Sequence, residues 1–473
     1  MNLSQKIALN TIIQFVGKFI SVILALVATA IITRYLGNSG FGAYTTIFTF
    51  TSLFSVLADF GITLVTSQML GEPQRNQQKV INNIFTFRVV SALFFLSLAP
   101  LASLFTPYSA EIKWGIFLAS FAFLFTVLNQ VFVGIFQKNL KLEKVSIAEI
   151  ASRIFLLLGI VIVYFKDFGL VGIILVTLIA NLISFLIHYY FSNKIIQAKF
   201  EFDFEYWKLI LKKSWPLAIT ILFNLIYLKT DTLILSLVKD EAAVGIYGAA
   251  YKVIDVLVMV PFMYCGIILP VLTERWVNNE KEIFFRAIQK SFDAMLMLAI
   301  PMIIGTLMIG TRIMKLIAGA EFEASGAPLQ ILIWATGAIF VGTIFSHVVI
   351  AMEKQRKLIP GYIFTAITAF AGYLIFIPRY SYIGAAWMTV YSETIIMLFS
   401  FWIAWKYSGL KLNFETLPKI ALSSFLMFGF IYFAEHLPII IIIILSMLIY
   451  FTSLYLIKGI SPDLFSLNKK YES

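Results

Sequence analysis

SWPLAITILFNLIYLKTDTLILSLVKDEAAVGIYGAAYKVID, residues 214–255, is the stretch whose reading decides the fold. Two apolar spans flank a short charged turn, and Lys229, Asp231, Lys252 and Asp255 sit inside those spans, where hydrocarbon is expected. A charge at the centre of a lone membrane helix costs roughly 3 kcal/mol on insertion scales, so such residues face a bundle interior or a wet cavity. With the first span running from about Ser214 to Val238, Lys229 lies near its midpoint, beyond easy reach of the headgroups. Lys229 and Asp231 differ by two positions, about 200° around a helix, so one of them must face another helix.

Working outward, the whole chain shares this character. Hydrophobic residues make up 60% and charged residues 13% of 473 positions, and the mean hydropathy is +0.92. Soluble domains carry roughly 25% charged residues. The composition therefore specifies an all-α polytopic membrane protein. The lone Cys265 excludes an internal disulfide and a cysteine-based metal cluster, leaving helix packing to hold the fold. The start, MNLSQKIALNTIIQFVGKFI, runs into an apolar span without a small-residue cleavage site and reads as a retained first helix.

Cutting at charged and Gly/Pro-rich breaks gives about 14 apolar segments, each long enough for a hydrocarbon core of about 30 Å: six, then a linker, then eight. The clusters Lys138/Lys141/Lys144, Lys208/Lys212/Lys213 and Lys354/Arg356/Lys357 fall on one side, with Lys6, Arg75, Lys79, Lys469 and Lys470. The positive-inside rule then puts both termini in the cytoplasm. The longest connector carries KFEFDFEYWKLILKK, whose aromatic and basic residues suit the membrane interface, either as a joint or as a surface-hugging connection.

One internal echo is visible. NSGFGAY at 38–44 and EAAVGIY at 241–247 match Gly42 with Gly245 and Tyr44 with Tyr247, about 203 residues apart. Each follows an outward-running helix and opens the next, as a parallel repeat requires.

Pro216 early in the seventh span, then Asp231, then VGIYGAAYKV, together with RYLGNSGFGAY after the first span and ADFGI at 58–62, resemble the polysaccharide flippases, the O-antigen and related exporters of the multidrug/oligosaccharidyl-lipid/polysaccharide (MOP) superfamily. The resemblance covers essentially the full length. It implies two six-helix lobes in a V around a central cavity plus two C-terminal helices. In this sequence that gives an N-lobe over 1–191, an interfacial linker over 192–213, a C-lobe over 214–410, and helices 13–14 with a cytoplasmic tail over 411–473. It also implies that a polyprenyl-pyrophosphate-linked sugar moves outward across the cell membrane by alternating access, among membrane lipids and alongside polysaccharide polymerase machinery. No nucleic-acid partner is expected.

A flippase makes no bond, so no catalytic residue is expected; it must shelter a polar, anionic headgroup. Lys18, Arg88, Arg153, Lys229 and Lys252 supply cations within spans, Arg as a bidentate phosphate holder and Lys as a point charge. Glu149 and Arg153, four apart, and Lys252 and Asp255, three apart, also have the spacing of local ion pairs. No G-x-x-x-x-G-K-[ST] loop occurs, which leaves ion coupling to H+ or Na+ as the energy source and no other cofactor. Asp59, Asp231, Asp255, Asp293 and Glu393 are the candidate coupling carboxylates, with helix packing as the competing role. Gln14, Asn129, Gln130, Asn181, Asn224 and His347 can bind sugar hydroxyls or bond between helices, and the histidines give no metal site. Two readings stay open beside the leading one: a lipid II flippase, and a cation-coupled multidrug antiporter, which calls for about twelve spans and an acidic cavity. An enzyme would need a sizeable extramembrane loop, and the chain has none.

Overall fold

The computed structural model describes residues 3–72 and 76–460, with side chains throughout except at 3–12, 15, 64, 67, 216–217, 219–220 and 222–228. The side chains of Lys6, Pro216 and Asn224, together with Arg75, Lys469 and Lys470, lie outside the described residues. Among the described residues the chain is helical without strands and forms 14 helices, as the apolar segmentation requires.

The first helical run, α1 (Leu3–Asp59), is 57 residues long. At 1.5 Å per residue that is about 85 Å, far more than a bilayer core. It breaks at Gly37, whose φ of 66° and ψ of −174° a side chain would resist, giving two arms over 3–36 and 38–59. The second arm kinks again through Phe60 and Gly61 and continues as α2 (Ile62–Gly71). Then follow α3 (Gln77–Ser103), α4 (Ala110–Lys138), α5 (Leu142–Lys166), α6 (Gly169–Asn193), α7 (Phe204–Val238), α8 (Glu241–Val277), α9 (Lys281–Ala318) and α10 (Gly326–Ala351). The run α11 (Ile359–Ser408) breaks at Ser381 into a second pair of arms, and α12 (Leu417–Phe433) and α13 (Ile439–Leu456) complete the set. Pro100, Pro261, Pro270, Pro301 and Pro378 lie inside helices, a placement that neighbouring helices make tolerable in a membrane bundle. Large exposed apolar side chains such as Phe94, Phe105, Leu158, Trp387 and Leu448 suit a lipid-facing surface.

The chain divides after Gly248 into two compact units, so the boundary falls within α8. In the first unit one core packs α2, α3 and α4 around Met69, Ile84, Phe132 and Phe136, and another packs the second arm of α1 against α4 and α6 around Ile47, Ile116 and Ile174. In the second unit Phe284, Ile288, Phe345 and Val348 join α9 to α10. The pair α12 and α13 rests on α9 through Ile309, Met427, Ile442 and Tyr450.

One device recurs in both units: a non-helical segment lies along a helix, α3 in the first unit and α9 in the second. In the first unit, residues 194–203 run along α3. The N–H groups of Lys199, Glu201 and Asp203, alternate residues as an extended chain presents them, donate to Asn82 Oδ1 (3.0 Å), Thr86 Oγ1 (2.9 Å) and Asn83 Oδ1 (3.2 Å). Glu201 accepts from Asn82 and Asn83, Lys79 pairs with Asp203 at 2.7 Å, and Phe200 packs on Phe85. In the second unit Gln289 on α9 exchanges two hydrogen bonds with the backbone of Asn413 (2.7 and 2.9 Å), and Phe414 packs edge-on against Phe292.

Candidate functional site

The predicted cations take different positions. Arg88 on α3 has no exposed surface. Its Nη2 pairs with Asp59, at the end of the second arm of α1, and donates to Thr63 Oγ1 at 2.7 Å, while Nε and Nη1 have no partner. The structure thus joins a candidate cargo cation to a candidate coupling carboxylate, and Arg88 bonds both Asp59 and Thr63, which flank the Phe60–Gly61 kink. A buried ion pair requires both members, since removing one leaves an uncompensated charge.

Lys18, on the first arm of α1, reaches Glu149 on α5 at 3.8 Å with both side chains partly exposed, 46% and 37%. Glu149 therefore meets a neighbouring helix, whereas Arg153, one turn further along α5, is exposed and within electrostatic reach of the Tyr44 hydroxyl. Lys229 on α7 is half-buried and Asp231 fully buried, as their angular separation requires. Asp231 accepts from the Tyr247 hydroxyl on α8 at 2.7 Å, and from the Thr232 N–H and hydroxyl. In the second unit Lys252 is half-buried and Asp255 exposed, and among the described residues no ion pair joins them.

Asp293 on α9 accepts from Gln289 at 3.1 Å, beside the second strap, and Glu393 is buried in the second arm of α11 within electrostatic reach of Tyr362. Of the neutral candidates, Asn129 bonds Ser184, Asn181 bonds the Ala122 carbonyl and His347 faces the Thr343 carbonyl, all between or within helices; Gln14 is exposed and Gln130 half-buried. Among the described residues no group of three or more His, Cys, Asp and Glu side chains is placed to hold a metal.

The matched glycines of the internal echo meet. A methyl on Gly42 would lie 1.7 Å from the Glu241 carbonyl oxygen, and one on Gly245 would lie 2.0 Å from that of Asn38. Asn38 and Glu241 are themselves equivalent positions of the two motifs, so the contact is reciprocal, as a local two-fold demands.

A second feature gave no sequence signal beyond general apolarity. In the second unit, α8, α9, α12 and α13 enclose an apolar cleft of about 470 Å³. Val253, Leu257, Met302, Gly305, Met447 and Phe451 line it, with Thr306 and Ser446 among its few polar side chains. Methionines adapt their shape to a long, irregular apolar guest.

This is the helical architecture of a multi-pass membrane protein. The structure is similar to that of the lipid II flippase MurJ in an inward closed conformation, with a TM-score of 0.77, 17% identity, and 94% of this chain and 98% of that chain covered. It is similar to an inward-facing multidrug resistance MATE family transporter of the MOP superfamily, with a TM-score of 0.65, 14% identity and 84% and 98% covered. A MOP superfamily transporter from Pyrococcus furiosus, described as having reversed polarity in its binding pocket, matches with a TM-score of 0.58, 14% identity and 85% and 95% covered. No curated protein sequence matches the chain. The polysaccharide biosynthesis protein family matches residues 7–276, more than half of the chain, and the chain belongs to that family.

Proposed function

We propose that the protein is a flippase that moves a polyprenyl-pyrophosphate-linked oligosaccharide from the cytoplasmic to the outer leaflet of the cell membrane by alternating access, with ion coupling, for cell-surface polysaccharide synthesis. The observation that carries the reading is that Lys18, Arg153, Lys229 and Lys252 lie inside membrane-spanning helices yet keep exposed or half-buried surface. A cation in a span is costly unless it meets water, a counter-charge or a ligand, and a pyrophosphate is such a ligand. The Met-lined cleft of the second unit suits the isoprenoid tail. Both termini lie in the cytoplasm on this reading, and polysaccharide polymerase machinery receives the product.

A lipid II flippase would share the cations and the tail cleft, and membership of the polysaccharide biosynthesis family favours an oligosaccharide cargo over it. The cleft provides the test. Gly305→Trp fills it from α9, where nothing beyond the adjacent residues and local backbone of that helix lies within 4 Å of the position a Cβ would take. The variant is expected to bind a fluorescent polyprenyl-pyrophosphate sugar at least tenfold more weakly while a short-chain analogue binds as before. Unchanged affinity for the long-chain ligand would remove the cleft from the cargo path.

A further inference from the structure

His188 on α6 is 2% exposed. Its Nδ1 lies 2.8 Å from the Ser184 carbonyl oxygen, which can only accept, so Nδ1 carries the proton of the neutral ring and Nε2 the lone pair. Nε2 is buried and has no hydrogen-bond partner. On α4, Asn129 donates to Ser184 Oγ at 3.3 Å, Ser184 Oγ is 3.4 Å from His188 Nδ1, and Asn129 Oδ1 is likewise buried without a partner. Two orphaned polar atoms on one hydrogen-bonded chain mark a site with unused capacity.

Helices α1, α4 and α5 pack against α6. Glu149 on α5 is the charged group within electrostatic reach of the His188 ring. From α4, Asn129 reaches Ser184 beside the ring, and the Phe136 ring lies 6.0 Å away between centroids. Lys138 at the end of α4 is exposed, and Lys144 on α5 stacks on Phe191. From α1, Lys18 reaches the cluster through its ion pair with Glu149.

We propose that His188 Nε2 is a proton-binding site whose occupancy controls Lys18 through Glu149. Histidine is the side chain whose ordinary titration falls between pH 5 and 8. A proton on Nε2 makes a buried cation, and the counter-charge at hand is Glu149. That carboxylate is shared with Lys18, so protonation loosens Lys18 from α5 and frees its ammonium for an anionic cargo. Proton and pyrophosphate then bind with positive cooperativity, and by linkage each strengthens the other. Glu149 acts here as a positioning residue. The inference rests on the anionic-cargo reading above and makes proton occupancy of this site a control on cargo binding.

Two readouts on the full-length protein test it. The chain has three histidines, so 15N-histidine spectra of the wild type and His188→Gln assign the His188 signals. Binding of farnesyl pyrophosphate is measured from pH 8 to pH 5.5 in both. Wild-type His188 is expected to titrate within that range, and affinity to rise about fivefold or more relative to His188→Gln, which shares the ligand's own titration. Glu149→Gln should bind well at every pH, and Lys18→Met poorly at every pH. A His188 that stays neutral throughout, or wild type and His188→Gln with parallel binding profiles, overturns the proposal. Farnesyl pyrophosphate that binds no variant at any pH overturns the anionic-cargo reading and the cooperativity with it, and the spectra alone then decide whether His188 is a proton site.

Discussion

Gly42 and Gly245 lie backbone against backbone, with no room for a side chain at either: a methyl on Gly42 would lie 1.7 Å from the Glu241 carbonyl oxygen, and one on Gly245 would lie 2.0 Å from that of Asn38. Such approaches hold helices together in membranes, where small residues let backbones touch. Gly42→Ala and Gly245→Ala should each destabilise the protein by about 1–3 kcal/mol through overpacking. Thermal unfolding in detergent reads the loss. One backbone shift relieves both clashes, so the double variant should lose less than the sum of the singles. Two wild-type unfolding transitions would contradict the contact.

The Asp59–Arg88 pair gives a different pattern. Asp59→Asn leaves a wholly buried guanidinium without its counter-charge and should destabilise by about 3–5 kcal/mol. Adding Arg88→Met removes the orphaned charge and should restore most of that loss. A double variant as unstable as Asp59→Asn alone would show that the pair is not the source of the effect.

The first strap should loosen in acid. The Lys79 ammonium hydrogen-bonded to Asp203, helped by the Tyr206 N–H, holds the Asp203 carboxyl below its ordinary value. A carboxylate with a depressed folded-state pKa contributes stability that is present above the unfolded value, about 3.9, and is lost as pH falls through the lower folded value. Protection factors over 194–203, which compare exchange with the intrinsic rate at each pH, should therefore fall below about pH 4. Asp203→Asn should show faster exchange at neutral pH and a smaller acid response. An acid response of the same size in that variant would assign it to other groups.

Tyr247→Phe removes the hydroxyl that donates to the buried Asp231 carboxylate. Hydrogen bonds to charged groups contribute about 1.5–3 kcal/mol. A loss of that size is expected in thermal unfolding, with Asp231→Asn/Tyr247→Phe losing less than the two single variants together. Strict additivity would indicate that the two side chains act independently.

The spans were legible because apolar run length is a property of the chain alone, and the motif glycines were legible because a turn with Gly and Tyr at matching positions recurs about 203 residues on. The breaks at Gly37 and Ser381 behave differently: glycine at a break is expected, whereas Ser381, with φ of 54°, is held by its surroundings. Pairings across helices were not legible. Asp59 and Arg88 are 29 positions apart, and the local spacing that suggested Glu149 with Arg153 lost to Lys18 on a neighbouring helix. The strap's binding face did leave a trace, since Gln78, Asn82 and Thr86 recur every four residues along the start of an otherwise apolar helix. The apolar cleft left none, because its Leu, Ile and Met linings read like any buried or lipid-facing position.

The central claim is outward movement of an anionic lipid-linked sugar, and reconstitution tests it most directly. Purified protein in liposomes, with a fluorescent polyprenyl-pyrophosphate oligosaccharide on one leaflet, is followed by the arrival of fluorescence on the other, with and without a proton gradient. The account predicts protein-dependent translocation that the gradient accelerates, lost in Lys229→Ala at normal protein abundance and partly kept in Lys229→Arg. Absence of translocation, alongside gradient-driven uptake of a cationic dye, would contradict it and place the protein among the drug antiporters.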